Sequence, residues 1–244
     1  MAGGKRVRAA IIFAAACLAS CASHRPAAGE GDDVARILLF SGRDIWRNGA
    51  FAHGGLVWGP YGFEDGAPLF KLLLSGGVYR YDAGDLGGRR VVGAEGIAQA
   101  LPGFQVKRGH VEARIFFGPE YQIHRLWPDD PGNRLRGRTF GLRFAIDFWG
   151  EPTRTTMVAG DASLSSIATN YSARAAFGWR VLDRFYSGPE TQVYGGDGYR
   201  QWRLGLHITS MRTGDTEWSA AGGWAVDTEG QSSLYLRLGV LRRP

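Results

Sequence analysis

The chain has 244 residues, with 29 Lys and Arg against 23 Asp and Glu for a formal charge of +6, and only 2 cysteines. Both, Cys17 and Cys21, lie near the amino terminus, so the rest of the chain can form neither an internal disulfide nor a thiolate metal site. The 37 glycines are about twice the share of an ordinary soluble protein, which disfavours helices and suits tightly curved strands.

At the start, Lys5, Arg6 and Arg8 form a basic segment, and Ala9 to Ala16, with Ile11, Ile12 and Phe13, form a short apolar one. Small residues follow, the pattern of a secretory signal over residues 1–21. The apolar run is too short to span a bilayer as a helix. Leu18-Ala19-Ser20-Cys21 has the form of a lipobox with Cys21 as the lipidated residue. An ordinary signal peptide cut after Ala22 or Ser23 is the other reading, and both stay open. Removing the three leader cations lowers the charge from +6 to about +3, weak for a nucleic-acid binder, so no nucleic-acid partner is expected. Residues 22–34 (ASHRPAAGEGDDV) read as a flexible tether.

From 35 to 244 the chain alternates with period two. About twelve segments read as strands: 36–46, 50–58, 67–81, 91–106, 110–124, 138–149, 155–166, 171–182, 185–194, 199–211, 216–227 and 232–242. The fourth is interrupted by Gly93, Gly96 and Pro102. The tenth is the cleanest, with Trp202, Leu204, Leu206 and Ile208 on one face and Arg203 and His207 on the other. No connection is long enough to hide a crossover helix, so each strand runs antiparallel to the last. Connections after even-numbered segments are mostly tight and two after odd-numbered ones are longer, Asp82 to Arg90 and Trp127 to Gly137, the asymmetry of an outer-membrane barrel. Arg47-Asn48-Gly49 and Gly59 to Ala67 run against that trend.

Alternation does not say which face points outward. Strand length matches the roughly 9 to 11 residues needed to cross hydrocarbon. Aromatics gather near segment ends, including Trp46, Trp58, Trp127, Trp149, Trp179 and Trp218, as interfacial girdles require. The face opposite the apolar wall carries both charge signs, which a narrow lumen can pair. The expected fold is therefore an all-β, antiparallel up-and-down transmembrane β-barrel with outer-membrane lipid against its apolar wall. The expected lumen charge lattice is Arg143, Asp147, Arg174, Arg180, Glu190, Arg203, His207 and Asp227, with Glu190 and Asp227 as partners of Arg203.

Several stretches are familiar together: SGRDIWRNGAF (Ser41 to Phe51), KLLLSGGVYRY (Lys71 to Tyr81), PDDPGNRLRGR (Pro128 to Arg138), DASLSS (Asp161 to Ser166), YSARAAFGWRV (Tyr171 to Val181) and DGYRQWRLG (Asp197 to Gly205). They resemble the cellulose biosynthesis protein family BcsS over about residues 38 to 242. The resemblance implies an outer-membrane component of bacterial cellulose production and export, with cellulose synthase and export components as partners, and no catalytic residues to carry over. Outer-membrane barrels usually end in an aromatic residue, whereas this chain ends Val240-Leu241-Arg242-Arg243-Pro244.

A rim hydrolase or acyltransferase would need Ser, His and an acid together. The candidates are His53, His110, His124 and His207 with Ser163, Ser165 and Asp161, and G-x-S-x-G is absent. His207 reads as a hydrogen-bonded lumen residue, and neither a catalytic residue nor a cofactor is expected. Asp129-Asp130-Pro131-Gly132-Asn133 lacks the ligand spacing of a calcium loop and reads as a solvated turn. Twelve strands leave a lumen of intermediate width, so an accessory role is expected, with a small porin-like channel as the alternative. If β-glucan is contacted, Trp127, Tyr194 and Tyr199 are the expected stacking residues at the rim.

Overall fold

The computed structural model describes residues 36–197 and 199–244. The leader, the lipobox with Cys21 and the tether at 22–34 lie outside the described residues.

Twelve strands follow in chain order: β1 (Ile37–Trp46), β2 (Gly49–Trp58), β3 (Pro68–Ala83), β4 (Arg89–Arg108), β5 (Val111–Trp127), β6 (Gly137–Thr153), β7 (Thr156–Ser165), β8 (Tyr171–Val181), β9 (Phe185–Gly196), β10 (Tyr199–Thr213), β11 (Thr216–Asp227) and β12 (Ser232–Arg242). Each pairs antiparallel with the next, and β1 pairs with β12, so the sheet closes on itself and has no edge. The twelve expected segments map one to one onto these strands. The broken pattern of the fourth conceals the longest strand. Pro102 has no N–H to donate, yet Gln99↔Glu120 and Gly103↔Phe116 keep one register on either side of it.

Alternation fixes the faces. In β10, Trp202, Leu204, Leu206 and Ile208 are exposed while Gln201, Arg203 and His207 are buried. The apolar wall therefore points out of the barrel: Phe140 is 79% exposed and Leu234 is 68% exposed. Such a continuous apolar belt is stable against acyl chains and would be a severe liability in water. Trp58, Trp179 and Trp218 stand outward at one end of the belt and Trp127, Trp202 and Trp224 at the other. Trp46 and Trp149, expected in the girdles, are buried inside instead. Each shares strand parity with an inward carboxylate, Asp44 and Asp147 respectively, and the pleat sends both members of such a pair the same way.

The two rims differ. On one, the connections at 109–110, 154–155, 182–184 and 214–215 are short turns, and only 59–67 is long. On the other, the connections include 84–88, 128–136, 166–170 and 228–231. The long segment 59–67 folds back over the short-turn mouth. Gly66 N–H donates to the Gln105 carbonyl at 2.8 Å and Gln105 N–H to the Ala67 carbonyl at 3.0 Å. The Gln105 and Lys107 side chains both reach the Phe63 carbonyl, and the Arg114 guanidinium lies 5.4 Å from the Phe63 ring centre.

Candidate functional site

The candidate site is the lumen, which is packed from end to end in three tiers. Toward the short-turn rim, Leu38, Phe40, Val57, Leu69, Leu101 and Phe116 form an apolar cluster with Phe63 against it. Toward the loop rim, Trp46, Phe51, Tyr79, Tyr81, Tyr194, Tyr199 and Tyr235 pack together, Trp46 and Phe51 stacking with ring centres 5.6 Å apart.

Between the two lies a tier of buried ion pairs, several of them between distant walls of the barrel. Arg203 on β10 donates through Nη1 to both carboxylate oxygens of Asp44 on β1, at 2.8 and 2.7 Å. Its guanidinium sits 4.9, 4.8 and 4.9 Å from the ring centres of Trp46, Tyr194 and Tyr235. Lys71 on β3 reaches Asp147 on β6 at 2.9 Å and lies 4.9 Å from the Phe116 ring centre. Glu120 accepts from Arg143, from Gln99, from Gln122 at 2.8 Å and from Ser165 at 2.7 Å. Arg174 bridges Asp161 at 2.7 Å and Glu190 at 3.2 Å, and Glu190 also accepts from Arg237. In this buried setting each ion meets its countercharge directly, which offsets part of the cost of leaving bulk water.

Of the expected lattice, Arg143, Asp147, Arg174, Glu190 and Arg203 lie in this tier, but the partner of Arg203 is Asp44. Glu190 is opposite Gly205 and Asp227 opposite Gln201 in the ladders beside β10, while closure of the sheet brings β1 across the lumen to Arg203. Asp227 lies outside the lattice: its Oδ1 caps the 228–231 turn, accepting from the N–H groups of Glu229 at 3.0 Å and Gln231 at 2.9 Å. Arg180 is also apart, near the short-turn rim, where it donates to the Tyr186 hydroxyl and lies 3.8 Å from Glu151. His207 is buried and its Nε2 is 3.1 Å from the Phe177 carbonyl.

Tyr194 and Tyr199 are not exposed rim aromatics, being 2% and 3% exposed. The Tyr194 hydroxyl donates to Gln201 and accepts from Arg203 at 2.7 Å, and that of Tyr199 accepts from Gln201 at 3.0 Å. Trp127 is outward and 55% exposed. The Asp129 to Asn133 turn is solvated only in part, with Asp129, Pro131 and Gly132 exposed. Asp130 and Asn133 are buried, held by the Tyr81 hydroxyl, which donates to Asp130 at 2.7 Å and accepts from Asn133 at 2.9 Å. This loop covers the second mouth.

The lattice members outside the expected set are Asp44, Lys71, Glu120, Asp161 and Arg237. Arg237 between Leu236 and Leu238 carries a clear signal. Asp44 adjoins Arg43, and two neighbouring charges on opposite faces hide which is inside. Chemically the arrangement is a set of struts. The Ser163 hydroxyl accepts from Arg143 at 2.8 Å and shares a hydrogen bond with Ser172 at 2.9 Å, and Ser165 donates to Glu120.

The model of the family described as cellulose biosynthesis protein BcsS matches residues 38–244. The chain belongs to the BcsS family. No curated protein matches it. Among solved structures, the transport unit of the autotransporter AIDA-I from Escherichia coli superposes with a TM-score of 0.50 at 6% identity, covering 89% of this chain and 93% of that one. The KdgM porin gives 0.43 at 12% identity over 84% of this chain and 98% of that one. A FadL homologue from Pseudomonas aeruginosa gives 0.41 at 9% identity, covering 82% and 68%. This BcsS-family chain is thus an outer-membrane β-barrel with a closed sheet, an apolar outer wall and a filled lumen.

Proposed function

We propose that this barrel is a non-catalytic accessory of bacterial cellulose biosynthesis and export, which docks the export apparatus at the outer membrane and does not itself conduct the glucan. The observation that carries this reading is the lumen. Arg203–Asp44 and Lys71–Asp147 are buried struts between separated strands, with an apolar plug on one side and an aromatic one on the other. A glucan chain passing through would have to displace both clusters and break the buried ion pairs between them, each break leaving an uncompensated charge. Family membership supplies the process, and the sealed barrel supplies a scaffold in the right membrane.

Deleting the gene is expected to abolish or sharply reduce secreted cellulose without altering lipid composition, and complementation with His207→Ala or Ser163→Ala is expected to restore it. Cellulose output unchanged by deletion would remove the accessory role. Failure of both point variants to complement, with normal barrel levels, would favour a rim enzyme.

A further inference from the structure

Inside the barrel Arg114, Arg143, Arg174, Arg203 and Arg237 each meet a carboxylate. On the outer wall the pattern reverses. Arg43, Arg80, Arg125 and Arg138 are exposed, and among the described residues none of their guanidiniums forms a hydrogen bond or ion pair, whereas outward Arg90 is paired with Asp82 at 3.0 Å. These four cations surround one patch. Arg43 pairs across to Ala52, Ala52 to Gly76, Gly76 to Gly96, Gly96 to Ile123 and Ile123 to Arg138, a single row across β1 to β6 with an arginine at each end. One row nearer the loop rim, Ala50, Val78, Ala94 and Arg125 follow in register, with Arg80 above Val78 on β3. At about 4.8 Å per strand the row spans roughly 24 Å, more than one phosphate group covers.

The floor between the arginines is a groove of about 410 Å³ lined by Ala52, Gly54, Leu74, Gly76, Gly96 and Ile123. Its glycines differ from their inward neighbours. A Cβ on inward Gly55 would lie 2.1 Å from the Leu72 carbonyl oxygen, and one on Gly77 2.3 Å from the Phe51 ring, so the barrel's own packing demands glycine there. A Cβ on outward Gly54 or Gly76 would come no nearer than 3.6 or 3.4 Å to anything, ordinary contact. Nothing inside the barrel requires those two outward residues to be small, while a larger apolar side chain would fill the groove.

We propose that this wall binds a phosphorylated, acylated glycolipid of the outer leaflet, with an acyl chain on the Gly54, Gly76 and Gly96 floor and phosphates on the four arginines. Guanidinium forks match phosphate oxygens in pairs, and basic side chains at the membrane surface select anionic headgroups. The arginines lie toward the loop rim, which the short-turn asymmetry assigns to the outer leaflet. This inference stands apart from the cellulose role.

The test uses the purified full chain in detergent micelles, titrated with bisphosphoryl lipid A, with its dephosphorylated form and with phosphatidylglycerol, read by native mass spectrometry. Bisphosphoryl lipid A is expected to bind tightest. Arg80→Ala, Arg125→Ala and Arg138→Ala together are expected to weaken it on the order of a hundredfold, and Gly76→Leu to weaken it while leaving the phosphate preference intact. Equal binding of the phosphorylated and dephosphorylated lipids to the wild type, a comparison that needs no variant, would overturn the proposal. So would equal binding of phosphatidylglycerol, or an unchanged affinity in the triple variant. An unaffected Gly76→Leu would overturn the acyl groove. Retained heat-modifiable migration shows that each variant is folded, and Arg125→Gln with Arg138→Gln replaces the triple variant if that fails to fold.

Discussion

The physics of single residues is clearest at Arg203. Its charge is removed from water, ringed by three aromatic faces and balanced by Asp44 on a strand 159 residues away in sequence. Removing only the partner leaves a buried cation, a change that typically costs about 3–5 kcal/mol, whereas replacing both members with apolar residues of similar volume is often neutral. Asp44→Asn is therefore expected to lower the unfolding free energy in micelles by about 3–5 kcal/mol, and Asp44→Leu with Arg203→Met to recover most of it. Denaturant unfolding of the three proteins measures this, and a single variant as stable as wild type would show that the pair is not a strut. That Arg203 points inward is readable from its place between Trp202 and Leu204; that its partner is Asp44 is not, because pairing across a lumen depends on how the sheet closes. Tyr194 and Tyr199 teach the opposite lesson. They share parity with Gln192 and Gln201, so their inward direction is written in the pleat, and nearness to the strand ends is a poor guide to exposure.

At the scale of elements, the strand pattern survives local interruptions because one ladder supports the next. Pro102 removes a donor from β4 without moving its register, since β3 pairs straight through it at Phe70 and β5 resumes the same register beyond the gap at 100–102. The segment at 59–67 could not be placed from sequence, where it was merely too long for its rim. Its length is what lets Phe63 reach over the mouth while Asp65 ties the far end to β4. The Asp65 carboxylate accepts from the Lys107 N–H at 2.8 Å and from the Arg108 guanidinium at 2.6 Å, and these hydrogen bonds, the Lys107 amide first, hold its carboxyl below the ordinary carboxylate range. A depressed folded pKa means that the tie is fully present above the ordinary value near 4 and is lost as pH falls through the lower folded value. Amide exchange at Lys107, corrected for intrinsic rates, is expected to be protected at pH 6 and to lose protection only well below pH 4. Asp65→Asn should lower the protection already at pH 6 and flatten its pH dependence. Equal protection in the two proteins at pH 6 would show that Asp65 does not tie the 59–67 segment to β4.

For the whole molecule, strand number alone leaves the lumen undecided. A barrel of about eight strands is filled by side chains and one of sixteen or more holds a water channel, and this one has twelve. What decides the matter is the content of the lumen. Large aromatics share its wall with close-packed glycines, as where Tyr79 lies over Gly93, whose added Cβ would fall 2.3 Å from the ring. Charged side chains meet between separated strands, and 59–67 and 128–136 cover the two mouths. Opening a continuous water path would require both covers and the central ion pairs to give way together, so thermal motion of one loop is insufficient. Inserted into planar bilayers at neutral pH, the wild-type barrel is expected to show no stable conductance steps, while the same preparation migrates faster unboiled than boiled in SDS gels, which establishes that the silent protein is a folded barrel. Stable steps from such a preparation would mean that the lumen is open, and would transfer the glucan-conducting role from a partner to this chain.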